Sequence, residues 1–390
     1  MRLLILTFLA ILLHSCKTPY ASEDYELIIQ NVKLFDGDSL YEHATVLVQR
    51  DTIAEILLDE TEFTGQNVIE GKGKTLIPGL INAHVHVNNR KNKTDVQQLQ
   101  EAAQAGVLTV LDLFREAKTA QRLREMRDTP GQADFFSAGP LATIPSAHGT
   151  QWIPTPTLST PVEAAGFVQD RIAEGADFIK IVKEESIIKV GMQDDVLYEL
   201  VKESQKAKLV SVVHVDVLRN ALVAFDAGAN GIAHMWLWDK NPIDEESLAH
   251  LASRPFFVTP TLMLYKHEPI YQSTGLPMKF FAAQVKQLQD AGITILAGTD
   301  ADNFGMNLGV DLHEELEIYV VGGMTPVEAL KAATSNIADA YRLNDRGRIA
   351  VGKRADLILI EGDPTEEIKD LAKISNIWQI GEEITPYNKR

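Results

Sequence analysis

Two histidines stand one residue apart at the end of an apolar run, in Leu80-Ile-Asn-Ala-His84-Val-His86. Alternate side chains of a β-strand point to the same face, so these two imidazoles share a face. Imidazole nitrogens bind Zn²⁺ and related divalent metals, and a strand end is a suitable place for such a pair. A single His-x-His pair also arises by chance, so a metal site needs support from other parts of the chain.

Three further residues supply that support. His214, His234 and Asp300 each stand at the end of another apolar run. The chain has ten histidines, and four of them lie at such ends, so the alternative of four unrelated buried histidines requires several coincidences. The pattern therefore favours one divalent-metal site built from the ends of several strands.

Apolar runs of strand length alternate with helix-compatible segments through the middle of the chain. The runs are Thr75–Val87, Val107–Phe114, Ala133–Ser137, Asp177–Val182, Leu209–Val215, Gly231–Met235, Pro255–Leu262 and Ile293–Gly298. Glycine, expected just past a helix end, closes the segments before Val107, Ala176, Ala229 and Ile293. Eight strand–helix units in series predict an α/β fold, a (β/α)8 TIM barrel with its site at the carboxyl ends of the strands.

Short strand-like pieces of a different kind lie at both ends of the chain, within residues 25–74 and 345–390. Pieces at the two ends of a chain often pair into one module beside the central domain. We therefore predict a small β-sandwich domain formed from both chain ends, flanking a barrel over residues 75–344.

The N-terminus has the features of an export signal. Arg2 precedes an apolar run too short to span a bilayer, and Leu13-His-Ser-Cys16 resembles the bacterial lipobox. We predict a signal peptide over residues 1–15, a lipidated Cys16 with a linker over 16–24, and a periplasmic or cell-envelope location. A plain secretory signal with an incidental Cys16 is the alternative.

The charge of the chain limits its partners. The formal net charge of −17 argues against nucleic acid or an anionic membrane surface as the main partner. A small-molecule substrate is expected, and membrane contact only through a lipid on Cys16. The sequence leaves self-association into a homo-oligomer open.

Taken together, these motifs resemble the amidohydrolase superfamily of metal-dependent hydrolases. Leu76–His86 is similar to its PGxxDxHxH signature, Gly298–Ala301 to its strand-eight aspartate, and Gly347–Pro364 to its return into a small β-sandwich. Asn82 stands where the family usually has aspartate. Because Asn82 precedes the ligands, this difference concerns the support of the metal site and removes no ligand.

Lys180 bears on the number of metals. Its surroundings, Ala176-Asp-Phe-Ile-Lys180-Ile, resemble the prolidase-like branch, in which CO₂ carboxylates the lysine to an anionic carbamate that bridges two metals. The resemblance implies two metals, expected to be Zn²⁺ with Mn²⁺, Fe²⁺ or Co²⁺ as alternatives. Their ligands would be His84, His86, Lys180 and Asp300 for one, and Lys180, His214 and His234 for the other. An unmodified Lys180 with one metal is the alternative, since prolidase-like and imidazolonepropionase-like members divide on this point.

The ligands imply hydrolysis by water, with Asp300 as general base and then general acid. We expect cleavage of a C–N amide bond in a dipeptide or an N-acyl amino acid. Alternatives on the same centre are hydrolysis of a cyclic amide, as in imidazolonepropionase, of a lactone or of a phosphotriester. A lipoprotein that only binds a ligand is the alternative of another class.

Substrate contacts are also suggested by position. His148, in Ser146–Gly149, stands where prolidase-like members place a histidine against the substrate, although a solvated loop histidine would look the same. Arg219 can bind a substrate carboxylate or lie on the first turn of a surface helix. Lys183–Glu185 are predicted to form a solvated loop. Aromatic residues after several strands can line an apolar pocket or pack their own loops: Trp152, Trp236, Trp238 and Tyr265.

Overall fold

The computed structural model describes residues 24–58, 61–88, 93–184, 191–236, 238–269 and 273–387. The strands in these ranges are β1 (Leu27–Phe35), β2 (Leu40–Gln49), β3 (Thr52–Leu57), β4 (Val68–Glu70), β5 (Lys74–Pro78), β6 (Leu80–Val85), β7 (Val107–Asp112), β8 (Asp134–Ser137), β9 (Ile179–Val182), β10 (Ser211–His214), β11 (Gly231–Ala233), β12 (Phe257–Thr259), β13 (Thr294–Ile295), β14 (Leu357–Glu361), β15 (Ile374–Gln379) and β16 (Glu382–Ile384). The predicted signal peptide and Cys16 lie outside the described residues.

Most of the helices lie between the strands of the central part of the chain. They are α1 (Asp95–Gln104), α2 (Ala117–Arg124), α3 (Ala164–Ala173), α4 (Asp194–Lys206), α5 (Leu218–Asp226), α6 (Glu245–Leu251), α7 (Leu262–His267), α8 (Met278–Asp290), α9 (Val310–Gly322), α10 (Pro326–Ala332) and α11 (Ser335–Tyr341). Among the described helices, none has the length and apolar character needed to cross a membrane.

Strands from both ends of the chain pair in one sheet, in the order β16-β15-β14-β5-β1-β2-β3, with β4 beside β1. The C-terminal strand β14 runs antiparallel to β5, with Leu357 opposite Pro78. Alternating apolar residues of both ends, such as Val46, Leu76 and Trp378, form a common buried cluster. The predicted boundaries at residues 74/75 and 344/345, and the two layers of a sandwich, stay predictions.

The central strands are parallel and form two sheets, β6-β7-β8 and β13-β12-β11-β10-β9. Backbone hydrogen bonds bridge both junctions between these sheets. At one junction Ala142 donates to the Lys180 carbonyl at 2.8 Å, and at the other Ala83 donates to the Ala297 carbonyl at 2.9 Å. The predicted mixed α/β fold with parallel strands is confirmed.

The predicted glycine positions at helix ends are also confirmed. Gly106, Gly175, Gly228 and Gly292 follow α1, α3, α5 and α8, with φ angles of 80°, 74°, 86° and 91°. A left-handed φ is available to glycine without steric cost, so these residues end their helices and turn the chain towards the next strand. The resulting helices pack their apolar faces on the parallel strands in the largest buried cluster of the structure.

Candidate metal centre

The histidines singled out in the sequence meet at one end of the parallel strands. His84 lies in β6 and His214 at the end of β10, while His86 and His234 directly follow β6 and β11. Asp300 follows β13. Because neighbouring strands run in the same direction, their carboxyl ends lie at the same edge, and side chains from distant parts of the sequence converge there.

Short distances join these side chains. The Asp300 carboxylate atom Oδ1 lies 3.1 Å from His84 Nε2 and 2.9 Å from His86 Nε2. The His234 ring is centred 4.8 Å from the His84 ring and 4.6 Å from the His214 ring. Ligand atoms of His84, His234 and Asp300 all lie within 4.8 Å of one another, a spacing that one metal ion can span after small side-chain adjustments.

Lys180 lies among these groups on β9, opposite Val212 of β10. Its side chain is almost wholly buried, and its Nζ has no hydrogen-bond partner among the residues that the structure describes. Burial lowers the pKa of Lys180 from 10.5 to about 7, although the Asp300 charge opposes this. A buried amine without a partner is costly unless something else fills the space beside it.

The protonation states suit metal binding. Burial lowers the pKa of His84 to about 3 and holds the pKa values of His214 and His234 well below 6.5. Burial alone would raise the pKa of Asp300, but its interactions with His84 and His86 outweigh burial and bring that pKa well below 3.8. Neutral imidazoles beside an ionised carboxylate are the forms that bind a divalent metal.

The residues therefore fit a divalent metal. Buried polar atoms without a hydrogen-bond partner in the described part of the chain include His84 Nδ1 and Lys180 Nζ, so the centre holds more polar atoms than its own contacts satisfy. Nitrogen and carboxylate oxygen ligands suit Zn²⁺, and also Mn²⁺, Fe²⁺ or Co²⁺.

His148 lies beside this centre. Its ring is centred 4.5 Å from the His214 ring, and its Nδ1 lies 3.4 Å from Glu184 Oε2. The Trp152 indole, 58% exposed, packs edge-on against His148 with 4.8 Å between ring centroids. These contacts place His148, Glu184 and an exposed aromatic surface next to the candidate metal ligands.

The predicted solvated loop at Lys183–Glu185 is wrong for Lys183. Lys183 is buried, donates a hydrogen bond to the Met192 carbonyl and forms a 2.7 Å ion pair with Asp194. Glu184 contacts His148 as described above, and Glu185 lies outside the described residues. Glu184 lies two residues beyond the end of β9, and this position near a strand's carboxyl end was a signal that sequence reasoning did not use.

Arg219 does not join the cluster. It lies in the first turn of α5 with 61% of its side chain exposed, and its Nη2 is 3.8 Å from Asp194 Oδ2. Two of the four aromatic residues pack inside the protein instead of lining an open pocket. The Trp236 indole N–H donates to Gln284 Oε1 at 3.1 Å, and Tyr265 packs on Phe281 with ring centroids 4.5 Å apart.

Residues 75–386 match the model of the amidohydrolase family, which covers most of the chain. The chain belongs to this family. The expectation of a metal-dependent hydrolase from this superfamily is thereby confirmed at the level of the family.

Relatives within the family carry different activities in their names. The chain is similar to an adenine deaminase of Lysinibacillus sphaericus, 24% identical over 374 residues that cover 92% of this chain but 57% of that protein. It is also similar to an imidazolonepropionase of Alkaliphilus metalliredigens, 23% identical over 376 residues covering 82% and 84% of the two chains. The chain thus spans little more than half of the deaminase and most of the imidazolonepropionase.

Solved structures share the fold. A crystal structure of a Xaa-Pro dipeptidase with methionine in its active site superposes with a TM-score of 0.78 at 21% identity, covering 92% of this chain and 99% of that one. At this identity the likeness establishes an amidohydrolase fold and leaves the substrate of this chain open.

Proposed function

We propose that this amidohydrolase hydrolyses a C–N amide bond in a dipeptide or an N-acyl amino acid at a metal centre. The observation that carries the proposal is the meeting of His84, His86, His214, His234 and Asp300 around the buried Lys180. A structural role for so many polar groups in one place is unfavourable, since burying them without partners costs free energy.

The frame of this centre is a (β/α)8 barrel. The eight parallel strands and the hydrogen bonds at both junctions between their two sheets support a closed barrel. The sheet built from both chain ends supports a separate small β-sandwich over residues 25–74 and 345–390. Barrel enzymes carry their active sites at the carboxyl ends of the strands, where this cluster lies.

Carboxylation of Lys180 would complete the ligand set. A neutral amine can attack CO₂, so that an N–C bond forms, the nitrogen loses a proton to solvent, and an anionic carbamate results. Burial lowers the pKa of Lys180 to about 7, so a substantial fraction of its amine is neutral at neutral pH. Two metals would then be held, one by His84, His86, Lys180 and Asp300 and the other by Lys180, His214 and His234.

When bound, a divalent metal supplies Lewis acidity, which polarises a substrate carbonyl and makes water more acidic. Asp300, ionised and largely buried, accepts the proton of the attacking water and returns it to the nitrogen of the leaving amine. The proton ends on the amine and the hydroxyl on the carbonyl carbon, so the C–N bond is hydrolysed. Burial lowers the pKa values of His84, His214 and His234, so these imidazoles would hold the metal in their neutral forms.

His148 is the best-supported candidate for a substrate contact, because its ring lies next to that of His214 and packs against the exposed Trp152. Arg219 is the weaker candidate, since its guanidinium is exposed on α5. The likeness to imidazolonepropionase over most of both chains favours a cyclic amide as the second candidate substrate.

Metal analysis of the purified protein beside a Lys180→Ala variant tests the centre. Two metal equivalents in the wild type, falling to one or none in the variant, would support the bridged centre and direct the substrate screen to dipeptides and N-acyl amino acids. One equivalent in both proteins would exclude Lys180 as a ligand and direct the screen to cyclic amides. Activity that a chelator removes and added metal restores is expected in either case.

Absence of metal from both proteins would contradict the hydrolase proposal and favour a ligand-binding role. The proposed export and lipid anchoring at Cys16 need a separate test, since they rest on the sequence alone. Incorporation of labelled fatty acid into the full chain, and its loss in Cys16→Ala, would support them. Equal labelling of both chains would contradict them.

A further inference from the structure

His234 makes a hydrogen bond outside the cluster, and this bond determines which of its two ring nitrogens carries the hydrogen. Its Nδ1 lies 2.8 Å from the hydroxyl oxygen of Thr261, and both residues are buried. The Thr261 hydroxyl also lies 2.7 Å from the Pro260 carbonyl, to which it donates. Because that carbonyl can only accept, the hydroxyl proton is committed to it, and Oγ1 can only accept from His234. Nδ1 of His234 therefore carries the hydrogen.

This assignment decides which nitrogen faces the centre. A neutral imidazole carries one N–H, so a hydrogen on Nδ1 leaves the lone pair on Nε2. The same hydrogen bond restrains rotation of the ring, which lies between those of His84 and His214. Contacts of this kind to the far nitrogen of a histidine ligand set its tautomer and orientation.

Thr261 itself has an unusual backbone. Its φ of 54° and ψ of 49° lie in the left-handed region, which costs a β-branched residue about 1–2 kcal/mol. The backbone that follows is held by Glu315 of α9, whose carboxylate accepts the N–H groups of Leu262 at 2.8 Å and Met263 at 2.7 Å. Glu315 is wholly buried, so it stabilises the first turn of α7 from inside the protein.

We propose that Thr261 and Glu315 are positioning residues of the metal centre. Thr261 holds His234 in the tautomer with hydrogen on Nδ1 and with Nε2 directed to the metal, and Glu315 clamps the backbone that carries Thr261. The inference rests on the proposed function only in taking His234 as a metal ligand.

Substitutions of Thr261 separate its hydroxyl from its size. Valine keeps the branched shape without the hydroxyl, whereas serine keeps the hydroxyl. Thr259 is a matched control, because it is buried two residues away and its hydroxyl has no hydrogen-bond partner within the described ranges. We expect Zn²⁺ affinity, measured by competition with a chelator on the whole chain, to fall about 10–100-fold in Thr261→Val and to be unchanged in Thr259→Val.

Thr261→Ser should recover most of that affinity, which loss of packing alone would not allow. Zn²⁺ binding by Thr261→Val as tight as that of Thr259→Val would overturn the inference. Failure of Thr261→Ser to bind more tightly than Thr261→Val would also overturn it, since the hydroxyl would then be irrelevant.

Glu315→Gln tests the second half of the proposal. Glutamine keeps the shape but offers one acceptor oxygen and turns an N–H₂ group towards a backbone N–H. Zn²⁺ affinity should fall, by less than in Thr261→Val. The control Glu314→Gln, which loses a partly exposed ion pair with Lys266, should bind as the wild type does. Equal affinity in both glutamine variants would remove Glu315 from the proposal.

The wild-type protein provides a direct test of the tautomer. Long-range ¹H–¹⁵N correlation spectra of the zinc-loaded chain should show the His234 hydrogen on Nδ1, with His234→Gln identifying the signal. A hydrogen on Nε2 would overturn the inference. If the wild type binds no metal, both the proposed function and this inference are wrong. If the wild type and the Thr261 variants bind metal equally tightly, only this inference is wrong.

Discussion

Asn82 Nδ2 donates a hydrogen bond of 3.0 Å to the Thr299 hydroxyl and so ties the strand that carries His84 to the segment that carries Asp300. The same Nδ2 donates to the Leu308 carbonyl at 3.0 Å. Asn82 Oδ1 accepts the backbone N–H groups of His84 and Thr299, each at 3.3 Å. Both the nitrogen and the oxygen of this buried amide form hydrogen bonds, so asparagine suits the position where the family usually has aspartate.

Asn82→Asp should therefore destabilise this chain. A carboxylate keeps the accepted bonds but has no hydrogen for the Leu308 carbonyl, so two oxygens would face each other in a buried site. We expect the free energy of unfolding at pH 8 to fall by about 1–3 kcal/mol, as measured by urea denaturation. The exposed Asn241→Asp control should change it by less than about 0.5 kcal/mol.

The loss should shrink as the pH falls, because a protonated aspartic acid can donate to Leu308. An Asn82→Asp variant as stable as the wild type at pH 8 would mean that the two donated bonds contribute little.

Carboxylation of Lys180 predicts a carbamate signal. After exchange with ¹³C-labelled bicarbonate, the wild-type chain should show a carbamate ¹³C resonance that is absent from Lys180→Ala. Lys183 is the matched control, since it is equally buried but its amine is paired with Asp194 and the Met192 carbonyl. Lys183→Met should keep the signal. A signal that persists in Lys180→Ala, or is missing from the metal-loaded wild type, would contradict carboxylation at this position.

The convergence of the proposed ligands could be predicted from the sequence because each of these residues has a local signal. Strand periodicity of two puts His84 and His86 on one face, and parallel strands bring the ends carrying His214 and Asp300 to the same edge. The pairing of β14 with β5 was also predictable, since strand-like pieces mark both chain ends. These inferences need only the pattern of each element and a general rule of topology.

The residues that hold the site in position have no such local signal in the sequence. Glu315 reaches Leu262 across 53 positions from the middle of a helix, where a glutamate normally faces solvent. The contact of Thr261 with His234 depends on a left-handed backbone conformation at Thr261, which the neighbouring residue types do not predict. Lys183 was misplaced for the same reason, because its partner Asp194 lies at the start of the next helix. Each support depends on tertiary packing between separate elements.

His214→Ala should abolish turnover without unfolding the protein. The imidazole lies between the rings of His148 and His234, so its loss removes a ligand and opens a small space at the site's edge. We expect turnover of the substrate found in the screen to fall by more than about 100-fold, with an unchanged far-ultraviolet circular dichroism spectrum. His250→Ala, which removes a surface contact with Asp226 and an edge-on ring contact with Phe225, should keep wild-type turnover. Comparable turnover in the two variants would remove His214 from the site.

Glu315 should give the fold a distinctive dependence on pH. Burial raises the pKa of Glu315 from 4.5 to about 7, and the N–H groups of Leu262 and Met263 offset burial only in part. Because this pKa is higher in the folded than in the unfolded chain, the stabilisation is complete below about pH 4.5 and is lost as the pH rises through about 7. The loss amounts to roughly 3 kcal/mol at alkaline pH.

Glu315→Gln carries no charge at any pH and should lack this loss. The free energy of unfolding of the variant, relative to the wild type, should therefore rise by about 2–3 kcal/mol between pH 5 and pH 8, whatever the fixed cost of the substitution. Urea denaturation at several pH values measures it. Glu314→Gln on the same helix loses an exposed ion pair with Lys266 and should show a nearly constant difference from the wild type. Parallel pH profiles for Glu315→Gln and the wild type would mean that Glu315 does not titrate between these pH values, and the clamp on Leu262 would then rest on a carboxylate that stays charged throughout.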